Sequence, residues 1–148
     1  MKTIQLTKGL TAAVDDEDYE WLVKMGSWCV VSPRNRPYAG RRVNGKFQYM
    51  HKLILRKYGK DDKIVDHSDG DSLNNQKSNL RSSKDNTINM LNQEAEGVWV
   101  RSDMKEGTRR YCAQLVVNGT RILDSHFYTY EEAKKAYEET KKAVLDSL

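Results

Sequence analysis

The sequence predicts an α+β protein built from two modules, and three observations carry that expectation. A strand, a long polar loop, a second strand and a helix follow one another between Ile64 and Asn92. Three strand-like runs then lie between Gly97 and Phe127, two of them joined by the turn pair Asn118-Gly119. The chain closes on a helix whose first turn carries a capping box, Thr129 with Glu132. The expected modules are residues 1–93 and 94–148, meeting at Gln93-Glu94-Ala95-Glu96, which has no strand signal.

Taken in order, residues 3–14 read as a short strand and turn. Asp15 or Asp16 can cap a brief helix to about Met25, with Tyr19, Trp21 and Leu22 as its packing side chains. Trp28 to Val31 reads as a strand, and Pro33 and Pro37 bracket a loop. Tyr38 to Val43 and Lys46 to Met50 form a hairpin about Asn44-Gly45. His51 to Tyr58 reads as a helix stopped by Gly59. A short strand over 64–67 precedes the polar loop, Leu80 to Ser82 follows it, and Ser83 is placed to cap a helix running to about Asn92. In the second module, Ala133, Ala136, Tyr137, Thr140 and Val144 recur at helical spacing, so one helix should cross a three-stranded antiparallel sheet.

The 148 residues carry a formal net charge of +4, and 31% are charged. The charge is uneven. Asp15, Asp16, Glu17, Asp18 and Glu20 cluster near the start, whereas Arg34, Arg36, Arg41, Arg42, Lys46, Lys52, Arg56, Lys57, Lys60 and Lys63 dominate the stretch before Asp66. Such a flank suits a polyphosphate partner. Cys29 and Cys112 belong to no metal-binding spacing and read as reduced, small apolar residues, which argues against a structural zinc module. No apolar run is long enough to span a membrane, and the N-terminus lacks a signal-peptide core, so a cytoplasmic setting is expected. Asn118-Gly119-Thr120 fits a glycosylation sequon, but a hairpin turn explains Asn-Gly better.

The chemistry concentrates in Val65-Asp66-His67-Ser68-Asp69-Gly70-Asp71-Ser72-Leu73-Asn74-Asn75, closed by Asn79-Leu80-Arg81. Asp66 suits a hard cation such as Mg²⁺ or Mn²⁺. Neighbours on a strand point to opposite sides, so Asp66 can face a metal while His67 faces an attacking water. A neutral imidazole is a competent base, and its second nitrogen needs a fixed partner, for which a backbone carbonyl is the usual choice. The helix beyond Ser83 offers an amide oxygen, Asn86 or Asn89, as a second ligand. An EF-hand reading of Asp66 to Asn75 fails, because the ligand alternation is wrong and the closing Glu is missing.

These segments, with Met50-His51-Lys52-Leu53-Ile54-Leu55 and Val14 to Leu22 upstream, resemble the HNH endonuclease family, in particular the homing endonucleases of bacteriophages. The resemblance implies a ββα-metal fold with one divalent ion. It matches Asp66 to a metal ligand, His67 to the general base, and Asn79 to the Asn that holds the motif loop by hydrogen bonds. The segment from Arg81 to the helix is about two residues shorter than the family pattern, so Asn86 and Asn89 both remain open as the second ligand, with Asn86 favoured. His51 matches a recurrent family His, which packing at a helix start explains equally well. His126 reads as structural.

From Gly97 onward the chain resembles the Apetala/ethylene-response type of DNA-binding domain, through Gly97-Val98, Tyr111 to Leu115, Asn118-Gly119, Phe127, Glu131-Glu132-Ala133 and Ala136-Tyr137. Leu123 to His126 stands where that domain has Leu-Gly before its Phe. Strand alternation puts Val98, Val100, Tyr111, Ala113, Leu115 and Ile122 against the helix. It turns Trp99, Arg101, Arg110, Cys112, Gln114, Arg121 and Leu123 outward, a face suited to the major groove. The expected function is therefore a metal-dependent, sequence-selective endonuclease on double-stranded DNA, in the cytoplasm of a bacterium or phage-infected cell. Its DNA contacts would be Arg41, Arg42, Lys52, Arg56, Trp99, Arg101, Arg110, Gln114 and Arg121. The alternative is a catalytically inactive DNA-binding or regulatory protein.

Overall fold

The computed structural model describes residues 1–60, 62–85, 87–92 and 97–148. Among them are four α-helices and several small antiparallel sheets, an α+β architecture. The chain divides into two compact units, Met1–Lys84 and Asp85–Leu148. The expected junction at 93–96 lies outside the described residues.

In the first unit, β1 (Lys2–Gln5) pairs with β2 (Thr11–Val14), and α1 (Asp16–Lys24) follows. Three acids in the first turn of α1 complement the helix dipole. Asp15 occupies the N-cap position, but its carboxylate makes no cap bond; it accepts from the Lys77 backbone N–H at 2.9 Å instead. A three-stranded sheet, β3 (Cys29–Val31), β4 (Tyr38–Val43) and β5 (Lys46–Tyr49), leads directly into α2 (Met50–Lys57). Asn44 and Gly45 both have positive φ, 49° and 79°, as the tight turn between β4 and β5 requires. On α2, Met50, His51, Ile54 and Leu55 are buried, one face of a 3.6-residue period. Leu22, Val14, Ala39, Met50 and Ile54 form the centre of the unit's core. Asp18 of α1 is also fully buried. One of its oxygens accepts from Trp21 Nε1, Lys57 Nζ and the Tyr58 hydroxyl, which ties α1 to the end of α2.

The strands β6 (Ile64–His67) and β7 (Leu80–Ser83) pair antiparallel around the motif loop. Ser83 does not cap a helix: it lies opposite Ile64 in the ladder. The helix α3 starts later (Thr87–Asn92), with Asp85 accepting from the Thr87 backbone N–H at 2.9 Å. It belongs to the second unit, because Leu91 is buried in that unit's core.

The second unit is a sheet of β8 (Val98–Val100), β9 (Tyr111–Val117) and β10 (Thr120–Phe127) covered by α4 (Tyr130–Asp146). Both halves of the Thr129–Glu132 capping box form. Ala113, Leu115, Ala133, Tyr137 and Leu145 make its core. A Cβ on Gly97 would stand 2.0 Å from a Tyr137 ring carbon, so glycine there lets the chain cross the helix closely.

Strand alternation misplaces two residues of β10. Ile122, expected against α4, is 45% exposed, and Leu123, expected outward, packs on the core. A register shift between Arg121 and Leu123 is the cause: the extra residue of a bulge reverses the alternation. Val100, also expected inside, is exposed at the end of its short strand. Cys112 faces outward but is buried, flanked in register by Trp99 and His126. His126 is exposed on that outer face.

Candidate functional site

The β6–β7 ladder puts Asp66 opposite Arg81 and His67 opposite Leu80. Alternation turns His67 into the unit, where it is buried, and leaves Asp66 half-buried on the other side. Between the strands the loop is held by Asn79. Its amide nitrogen donates to Asp69 Oδ1 at 2.9 Å and to the Asn74 carbonyl at 2.8 Å, and its oxygen accepts from the Asp69 backbone N–H at 3.0 Å. Asp69 and Asp71 each accept from the backbone N–H two residues on, closing successive Asx turns. The hydrogen bond from Asn74, then those from the Asp71 and Asn79 groups, holds the Asp69 carboxyl below the usual carboxylate range.

The loop is also tied to β2. Ala13 N–H donates to the Leu73 carbonyl at 2.9 Å, and Asn75 N–H donates to the Ala13 carbonyl at 2.8 Å. This seats Asn75, fully buried, beneath His67. His67 Nε2 donates to Asn75 Oδ1 at 3.2 Å. An amide oxygen only accepts, so the neutral imidazole carries its proton on Nε2 and its lone pair on Nδ1. The orienting partner is therefore a side-chain amide, where a backbone carbonyl is the usual choice and the sequence identifies neither. Burial pushes the His67 pKa down, partly offset by the Asn75 bond and the Asp66 charge.

A second histidine packs against the first. The rings of His51 and His67 meet edge to face with centroids 5.3 Å apart. Tyr49 lies nearly parallel to His51 at 5.5 Å, and Tyr38 approaches both histidines within 6.0 Å. Burial, with the nearby His67 and Lys52 charges, lowers the His51 pKa to about 3. His51 Nδ1 is buried without a hydrogen-bond partner among the described residues.

Asp66 lies 3.7 Å from Arg81 Nη1, and the Arg81 guanidinium also donates to Ser68 Oγ. Asn86 lies outside the described residues. Asn89 is exposed on α3 of the second unit. No group of three or more His, Cys, Asp or Glu side chains gathers in metal-binding geometry among the described residues. The half-buried Asp66 carboxylate is a hard oxygen ligand of the kind a divalent cation takes alongside water and phosphate oxygens.

The basic residues of the first unit divide in two. Arg41 is engaged internally: it donates to the Met25 carbonyl and to Gln48 Oε1, and its guanidinium lies over the Trp28 ring. Arg42, Lys52 and Arg56 are exposed, the last two one turn apart on α2. In the second unit, Trp99, Arg110, Gln114 and Arg121 share the outer sheet face, and Arg101 follows β8. Arg101, Arg110 and Arg121 pair locally with Asp103, Glu106 and Asp124. Exposed pairs of this kind are weak and can exchange for phosphate at little cost.

Sequence reasoning missed Asn75 as the partner of His67, and missed the Tyr38–Tyr49–His51 wall beside it. The bonds from Ala13 that seat Asn75 are long-range and leave no local signal. Comparison with family models, with curated proteins and with solved structures found no match. No helix among the described residues is long and apolar enough to cross a membrane.

Proposed function

We infer that the chain is a metal-dependent DNA endonuclease of the HNH type, with the outer sheet face of its second unit choosing the site. The observation that carries this reading is the buried His67, held by Asn75 in one tautomer, next in sequence to Asp66 on the strand that enters a loop locked by Asn79. His67 Nδ1 takes a proton from water as the water oxygen bonds to phosphorus and the 3′ oxygen leaves. Asn75 holds the Nε2 proton through that step and steadies the imidazolium that forms. Asp66 would hold a Mg²⁺ or Mn²⁺ ion together with water and phosphate oxygens, and the ion would supply positive charge for the developing phosphorane and the leaving oxygen. Asn79 acts on the reaction by fixing the loop. Lys52, Arg42 and Arg56 neutralise phosphates on the first unit, and Trp99, Arg101, Arg110, Gln114 and Arg121 contact DNA from the second.

One observation favours the rival reading, a DNA-binding protein without catalysis. Arg81 stands over the Asp66 carboxylate and would compete with a cation for it. Supercoiled plasmid incubated with Mg²⁺ or Mn²⁺, with chelator, and with the His67→Ala variant separates the two. Metal-dependent nicking that the variant loses is expected. Intact plasmid with a salt-sensitive gel shift, on DNA containing a bound site, would leave the binding protein.

A further inference from the structure

Two shallow clefts on the first unit share one wall. The inner cleft, about 310 Å³, is bordered by Tyr38, Tyr49, His51, Lys52 and Lys63. The outer, about 220 Å³, is bordered by Phe47, Tyr49, Lys52 and Arg56. Tyr49 and Lys52 line both and form the ridge between them. The inner cleft reaches the candidate site, because Tyr38 and His51, which line it, pack on the His67 ring at 6.0 and 5.3 Å.

The chemistry of these walls is specific. Tyr38, Tyr49 and His51 present aromatic surface, and His51, with its pKa near 3, is uncharged at neutral pH. Positive charge stands at the rim instead, on the exposed Lys52 and Lys63 and on Arg56 one turn beyond Lys52. Aromatic surface interleaved with cations suits a single nucleic-acid strand, whose bases stack while its phosphates meet the cations. A duplex keeps its base faces inside its own stack, so only unpaired nucleotides can use such a wall.

We propose that the two clefts form a track for unpaired nucleotides of the cleaved DNA strand, beside the scissile phosphate. The inference rests on the endonuclease reading in naming the strand as the one that is cut and the neighbouring phosphate as the scissile one.

The test uses the full chain in chelator, where no cutting is expected. It is titrated with a short single-stranded oligodeoxynucleotide containing 2-aminopurine, and with the same sequence as a duplex. Wild type should quench the probe's fluorescence in the single strand. Tyr49→Leu should weaken single-strand binding about tenfold, since stacking on one aromatic side chain is worth that much. Tyr49→Phe should keep it, because stacking does not need the hydroxyl. Lys63→Ala should also weaken it and reduce its salt dependence; as an exposed change it gives an answer even if Tyr49→Leu fails to fold by circular dichroism. Unchanged single-strand binding in folded Tyr49→Leu, or in Lys63→Ala, overturns the track. Plasmid cleavage by wild type would then leave the nuclease reading standing alone. Conversely, single-strand binding lost in both variants, with no cleavage by wild type, keeps the track and overturns the nuclease.

Discussion

The Nε2 of His67 donates to the side-chain oxygen of Asn75 at 3.2 Å, and Asn75 is fully buried. Eight residues separate them in sequence, yet this one bond decides which imidazole nitrogen can accept a proton. Asn75→Ala removes the acceptor and lets the other tautomer form. On the proposed endonuclease reading, cleavage should fall about tenfold to a hundredfold, the size of effect seen when a hydrogen bond that orients a metal-site histidine is lost. Stability should drop by about 1–3 kcal/mol from the buried bonds lost. Nicking rate and urea midpoint, measured on the same preparation, check both. A full nicking rate with a lowered midpoint would reduce Asn75 to a structural role.

Asn79 offers a test that conserves shape. Two of its bonds are donated by the amide nitrogen, to Asp69 and to the Asn74 carbonyl. Asn79→Asp keeps the size but faces those acceptors with another acceptor, beside the Asp69 carboxylate. The expected loss is about 2 kcal/mol at neutral pH, smaller under acid conditions where the new carboxyl is protonated. Urea unfolding at pH 7 and pH 4, each against wild type at the same pH, reads the difference.

His51 should make the first unit acid-sensitive. The unfolded chain protonates this residue near pH 6.5 and the folded chain only near pH 3. The folded state therefore binds fewer protons between those values. The stability from a neutral His51 is complete above pH 6.5 and is lost as pH falls toward 3. Between pH 6.5 and 5 the loss is up to about 2 kcal/mol. His51→Phe removes the titration and keeps an aromatic plate, so its stability should change less over that interval. Equal slopes for variant and wild type would show that His51 does not drive the loss.

The bulge in β10 makes a paired prediction. Leu123→Ala should cost about 1–2 kcal/mol, because the side chain packs on the core. Ile122→Ala, on the exposed residue before it, should stay within about 0.5 kcal/mol. Thermal melts of the two variants in parallel decide it, and a reversed order would mean unbroken alternation.

Much of the fold was legible in the residues themselves. Asn44-Gly45 and Asn118-Gly119 announced their hairpins because both positions of each turn need positive φ. Thr129 with Glu132 announced α4 because both halves of a capping box lie within one turn of chain. Ile122 and Leu123 were misassigned because a bulge is a property of two paired strands. Alternation within one strand cannot report it. The start of α3 was placed too early because Ser83 has the chemistry of a cap, but its pairing with Ile64 takes it into a strand.

By itself the sequence determined the two Asn-Gly turns, the capping box of α4 and the candidate pair Asp66-His67. All of these depend on chemistry within a few residues. Only the tertiary structure decided that Asn75 orients His67, that Asp15 caps the Lys77 backbone rather than its own helix, that Arg41 is engaged internally, and that His51 stands against His67. Each of these pairs side chains or backbone groups from separate elements. The physical reason is that burial, the partner of a hydrogen bond and the pKa of an imidazole are set by neighbours in space, which the chain brings together only on folding.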